Sequence, residues 1–137
     1  MQGAHATHFM SLITYLVEDS AMIRDNLIST LEELASVKIV GFSDTENEAG
    51  SWLTDRNCHW KLAIVDLFLR EGSGLGVLLM CQHREADQKV VVLTNYATTD
   101  IRERCAVLGA DAVFDKSNEL EELIQYCLDA TAHVKMH

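Results

Sequence analysis

The sequence predicts an α/β domain, a three-layer sandwich in which one five-stranded parallel sheet lies between two layers of helices. Two observations predict it: five short apolar runs rich in β-branched residues, and helical spacing of apolar residues in the segments between them. A strict β-α alternation requires parallel strands joined by crossovers, and right-handed crossovers place helices on both faces of the sheet. At 137 residues the chain suits one such core and is too short for two.

The first strand is expected at Leu12 to Val17. Asp19-Ser20 then offers a cap for a helix whose stripe is Ile23, Leu27, Leu31 and Leu34. A second strand is read at Val37 to Val40, followed by a short helix with Ala49, Trp52 and Leu53 on its buried side. Trp60 leads into the third strand, Leu62 to Val65, and both tryptophans are assigned to packing. The glycine-rich stretch Arg70 to Gly76 lacks the Lys-Ser/Thr of a P-loop, so it is read as a flexible loop before a helix at Leu75 to Gln82.

Val90 to Leu93 is the fourth strand, and Ile101, Cys105 and Leu108 mark a helix that ends at Gly109. Ala112 to Phe114 is the fifth strand. Leu120, Leu123, Ile124, Cys127 and Leu128 give the last helix, whose opening glutamates Glu119, Glu121 and Glu122 suit the positive end of the helix dipole. The domain is expected over residues 11–133, with an N-terminal tail at 1–10, disordered or added to the domain, and a C-terminal tail at 134–137. His5 and His8, in the first tail, complete no usual metal site.

Twenty-one acidic against eleven basic residues give a formal net charge of −10, which repels a phosphate backbone and excludes direct nucleic-acid binding. Charged or polar residues interrupt every apolar run before it could cross a bilayer, so membrane insertion is excluded as well. Cys58, Cys81, Cys105 and Cys127 form no Cys-x-x-Cys pair and fit reduced thiols, and residues 1–10 lack a secretory signal; a cytoplasmic location is expected. Without proline or low-complexity sequence nothing marks a linker, so an output module would be a separate protein.

In an open parallel sheet, sites form beyond the carboxyl ends of the strands. Four of the five expected ends carry reactive residues: Glu18-Asp19, Asp66, Thr94 and Asp115-Lys116. Each alone is explained by capping or by the ordinary polarity of strand ends, but their joint placement points to one site. Crowded carboxylates at Glu18, Asp19 and Asp66 favour a hard divalent cation, for which Mg²⁺ is the natural candidate. Asp66 would be the nucleophile that forms an acyl phosphate, with Thr94 and Lys116 holding phosphoryl oxygens.

From Leu12 to Thr131 the sequence resembles a response regulator receiver domain of two-component signalling. The residues that carry the resemblance are Leu-Val-Glu-Asp-Ser (16 to 20), Ile-Val-Asp-Leu-Phe-Leu (64 to 69), Val-Leu-Thr-Asn-Tyr (92 to 96) and Phe-Asp-Lys-Ser (114 to 117). The resemblance implies a flavodoxin-like fold of strand order 2-1-3-4-5 and phosphorylation at Asp66. It implies a Mg²⁺ site of Glu18, Asp19, Asp66 and the Phe68 backbone carbonyl, with Thr94 reading the phosphoryl group and Lys116 bonding it. The implied donor is a sensor histidine kinase or a histidine phosphotransfer protein. The implied output is a protein docked on the helix 4, strand 5 and helix 5 face, here Tyr96, Arg102, Arg104, Val113 and the outer side of the last helix. Such a domain is a switch, not an enzyme.

The sequence departs from that family at Val113, where an aromatic ring is usual, and at Ser117, where proline often follows the lysine. Phe114 lies one residue later, and strand alternation turns it to the opposite face, so it is no substitute for the missing ring. The alternative reading is a phosphorylation-independent docking module. A phosphatase with an aspartyl intermediate would usually need a second acid where Phe68 stands, and a flavin carrier would need hydroxyls and amides where Glu18 and Asp19 stand. Phe68 and Tyr96 flank the expected phosphoryl site, and their bulk is expected to restrict the water that hydrolyses it.

Overall fold

The computed structural model describes residues 11–135. The expected tail at 1–10, with His5 and His8, and residues 136–137 lie outside them. The strands are β1 (Leu12–Val17), β2 (Val37–Ser43), β3 (Leu62–Val65), β4 (Lys89–Thr94) and β5 (Ala112–Asp115). The helices are α1 (Ala21–Leu34), α2 (Glu46–Leu53), α3 (Gly74–Met80), α4 (Thr99–Val107) and α5 (Leu120–Lys135). All five strands run parallel in the order β2-β1-β3-β4-β5, the flavodoxin-like arrangement.

Period-2 alternation divides the strand residues between two cores. On one face Tyr15, Val17, Ala63, Val65, Val90 and Val92 pack against α2, α3 and α4 through Ala49, Leu53, Val77, Leu78 and Cys105. On the other, Leu12, Leu16, Leu62, Ile64, Val91, Leu93 and Phe114 meet Leu27 and Leu31 of α1 and Leu123 and Cys127 of α5. The central strand β3 is buried along its whole length, which explains its uninterrupted apolar sequence.

Hydroxyl caps start four helices: Ser20, Thr45, Ser73 and Thr98 accept from the backbone N–H of Ile23, Glu48, Leu75 and Ile101. Gly109 has φ +100° just after α4, the left-handed position expected from the sequence. Trp52 stacks on Tyr15 with ring centroids 4.1 Å apart, and the buried Trp60 donates from Nε1 to the Leu53 carbonyl at 3.0 Å.

Some boundaries differ from the sequence reading. Leu34 is exposed, because the buried stripe after Leu31 is completed one full turn on, at the C-cap Ala35. β2 extends through Ser43, since Glu18 N–H still bonds the Ser43 carbonyl beyond the apolar run. The last helix continues to Lys135, beyond the expected domain end at 133. Among the described residues no helix is long and apolar enough to cross a membrane, and all four cysteines are free.

Candidate functional site

The register of the sheet brings the four motifs to one edge. β1 and β3 are neighbours, with Val17 paired to Val65, so Glu18 and Asp66 leave adjacent strands at the same level. Asp66 N–H bonds the Val17 carbonyl at 2.9 Å and locks that level. β4 and β5 follow, with Thr94 paired to Asp115, which sets Lys116 immediately past the end of β5. Lys116 N–H in turn donates to the Thr94 carbonyl at 2.9 Å.

Glu18, Asp66 and Thr94 are buried, Asp19 is exposed, and the Lys116 side chain is mostly buried. The Lys116 ammonium donates to Glu18 Oε1 at 2.6 Å and to Asp66 Oδ2 at 2.8 Å. Burial alone would push this ammonium down, but the carboxylates of Asp66 and Glu18 outweigh it and hold Lys116 above the ordinary lysine value. Charges this deep persist only when paired.

One carboxylate oxygen from each of Glu18, Asp19 and Asp66 lies within 4.8 Å of the others. Of these three carboxylates and the one ammonium, the formal sum is 1 − 3 = −2. Hard oxygen donors with surplus negative charge fit a divalent cation such as Mg²⁺ or Ca²⁺ rather than a soft metal. Local bonds hold Glu18 in place, since its Oε2 accepts from Ser20 N–H at 3.0 Å and its backbone carbonyl accepts from Arg24 Nη1 at 3.1 Å. The Arg24 guanidinium itself rests 4.0 Å over the Phe42 ring centroid.

Thr94 and Asp66 each organise the turn that follows them. Thr94 Oγ1 accepts from Tyr96 N–H at 3.2 Å, and Asp66 Oδ1 accepts from Phe68 N–H at 3.4 Å. Asp115 is different, since its Oδ1 accepts from the N–H groups of Ser117 and Asn118 and so shapes the loop instead of entering the carboxylate pocket. No described peptide is cis, so the bond between Lys116 and Ser117 is trans. Val113 is partly buried and packs against the α2-α3-α4 core, while Phe114 enters the α1-α5 core and meets Tyr126 edge-on at 5.8 Å. As strand alternation requires, Phe114 supplies no ring on the Val113 side.

Sequence reasoning passed over the end of β2. There Asp44 pairs with Arg70, and Glu46 Oε1 accepts from Ser73 N–H at 2.9 Å, so this loop grips the one that follows Asp66. The sequence signal, Asp44-Thr45-Glu46 after an apolar run, was present but indistinguishable from an ordinary helix cap. The glycine-rich stretch is consequently tied along Arg70, Glu71 and Ser73.

A family model described as the response regulator receiver domain matches residues 14–127. No curated protein matches the chain. Among solved structures, the chain is similar to a DNA-binding response regulator of the LuxR family from Staphylococcus aureus, at 21% identity and TM-score 0.76, covering 88% of this chain and 98% of that one. The response regulator domain of Thermotoga maritima CheB aligns at 18% identity and TM-score 0.75 over 89% and 97% of the two chains. The signal receiver domain of the response regulator NarL from Mycobacterium tuberculosis aligns at 18% identity and TM-score 0.77, again over 89% and 97%. At these identities the likeness concerns the fold.

Proposed function

The chain belongs to the response regulator receiver domain family, and from that premise we propose that it is a phosphorylation-dependent switch whose phosphoacceptor is Asp66. The observation that carries this reading is the Lys116 ammonium seated between Glu18 and Asp66, with Asp19 completing a carboxylate trio. Receiver domains interact with histidine kinases or phosphotransfer proteins, and a phosphohistidine on such a partner is the proposed donor. The Asp66 carboxylate attacks phosphorus; the P–N bond of the donor breaks as the P–O bond forms, and the imidazole leaves with the electron pair.

Glu18, Asp19, Asp66 and the Phe68 backbone carbonyl are the proposed Mg²⁺ ligands. When bound, the cation supplies the positive charge that lets phosphate approach a carboxylate. Lys116, already aimed at Asp66 Oδ2, transfers its hydrogen bond to the phosphoryl oxygens, and the Thr94 hydroxyl, which accepts from Tyr96 N–H, donates its own proton to another. The proposed output surface is formed by α4, β5 and α5, including Tyr96, Arg102, Arg104 and Val113. Four free thiols, three of them buried, support a reducing, cytoplasmic setting.

The test is intact mass after treatment with acetyl phosphate and Mg²⁺, for wild type and Asp66→Asn. One phosphate adduct that is lost in the variant and on chelation is the expected result. Absence of both an adduct and metal binding would overturn the reading in favour of a phosphorylation-independent docking module.

A further inference from the structure

Glu46 is the first residue of α2, yet its carboxylate serves α3. Its Oε1 accepts from Ser73 N–H at 2.9 Å, across 27 positions of chain. The surroundings are shaped to admit it: a side chain at Gly72 or Gly76 would collide with the Glu46 carboxylate, and Gly72 has φ +81°. Backbone pairing continues the connection. Glu46 N–H bonds the Glu71 carbonyl at 3.0 Å, Arg70 N–H bonds the Asp44 carbonyl at 3.0 Å, and Thr45 and Glu71 form a parallel bridge. Because β1 lies between β2 and β3, this ladder passes over the end of β1, where Glu18 and Asp19 emerge.

Ser73 is also the residue that closes the turn after Asp66. It forms an antiparallel bridge with Phe68, Gly74 N–H bonds the Leu67 carbonyl at 2.9 Å, and Ser73 Oγ donates to the same carbonyl. Fixing Ser73 therefore fixes the backbone at residue 68, whose carbonyl is the one proposed metal ligand that no side-chain rotamer can re-aim.

We infer that Glu46 is a positioning residue for the metal site, acting through Ser73 to hold the Phe68 carbonyl in place. The inference rests on the switch reading and extends it to a loop that supplies no ligand. Ser73 is one step out from the Phe68 carbonyl and Glu46 one step further, and such supporting partners set metal affinity because they restrict where a ligand can point. The Arg70–Asp44 ion pair is more exposed, at 57% and 31%, and contributes less.

Calorimetric titration with MgCl₂ of wild type, Glu46→Ala, Glu46→Gln and Glu46→Asp separates reach from charge. Gln keeps an acceptor at the same reach without charge, whereas Asp keeps the charge but falls one methylene short. The expected result is near-normal affinity for Gln and a loss of about tenfold for both Ala and Asp, the lower end of what such outer partners are worth. Thermal unfolding in EDTA serves as the stability control, and the affinity loss should persist at temperatures where every variant is folded. Normal affinity in Glu46→Ala overturns the inference and leaves the switch reading standing. So does a loss in Gln with none in Asp, which would make Glu46 a distant charge. Failure of wild type to bind Mg²⁺ overturns the switch reading and the inference together.

Discussion

The Phe68 ring meets the Tyr96 ring edge to face, with centroids 4.9 Å apart and planes inclined by 63°. Each ring is anchored at its own backbone amide to a site residue, Phe68 to Asp66 and Tyr96 to Thr94. The pair therefore joins the two loops that would flank a phosphoryl group. Over half of each side chain is exposed, so the contact is not there for core packing.

A ring pair in that position would narrow the approach of water to an acyl phosphate on Asp66. Replacing it by Phe68→Asn with Tyr96→Glu is expected to shorten the phosphorylated lifetime by about tenfold, a modest part of what alignment of an attacking group can contribute. The decay of phosphorylated protein after removal of the donor measures this. An unchanged decay would show that the rings do not limit hydrolysis.

Lys116 is 11% exposed and its partners Glu18 and Asp66 are 2% and 9% exposed, so the triad is desolvated. Lys116→Met removes the only charge that these two oxygens share and should cost about 3 kcal/mol in metal-free protein. Mg²⁺ bound to the folded state at the same carboxylates, as proposed, should restore much of the loss by mass action. Urea unfolding in EDTA and in Mg²⁺ gives both numbers. A variant equally stable with and without metal would contradict the placement of the cation beside Glu18 and Asp66.

The parts legible in the sequence are those set by strand geometry. Glu18, Asp66, Thr94 and Lys116 were located because a parallel sheet delivers its strand ends to one edge, and the opposition of Val113 and Phe114 followed from alternation. Leu34 was misplaced because spacings of three and four are equally helical, and only the end of α1 decides that Ala35 turns inward. Glu46 was missed for a different reason. Its partner Ser73 is 27 residues away, and the hydrogen bond depends on room left by Gly72 and Gly76, which no local pattern reveals.

Gly74 and Gly50 offer a paired test of how tightly the site is built. A Cβ on Gly74 would collide with the Asp66 carbonyl oxygen and stand 2.8 Å from Leu67 Cα, both backbone atoms that cannot swing aside. Gly74→Ala should therefore cost about 1–3 kcal/mol and reduce phosphorylation, since the backbone of the proposed phosphoacceptor must shift. At Gly50 the collision is with Met80 Sδ, the end of a flexible side chain, and alanine gains up to about 1 kcal/mol of helix propensity. Urea titrations should find Gly50→Ala near wild type, and equal costs at both sites would count against the rigidity argued for the Asp66 loop.

Glu119 gives the acid limb of stability a specific origin. Its Oε1 accepts from Arg102 Nη2 at 2.7 Å and from Asp115 N–H at 2.8 Å, and the Arg102 bond, then the Asp115 amide, hold its carboxyl below the ordinary glutamate value. Arg102 also donates to the carbonyls of Ala97 and Val113, so one ion pair ties α4, the loop before it and β5 to the start of α5. A carboxyl depressed in the folded state binds fewer protons there than when unfolded. Its contribution is therefore present above the unfolded value and disappears as pH falls through the folded one. Glu119→Gln should be less stable than wild type at neutral pH, with the gap closing as pH drops below the usual glutamate range. Chemical unfolding from pH 7 down to pH 3 measures the gap. A difference that stays constant over that range would show that ionisation of Glu119 does not account for it.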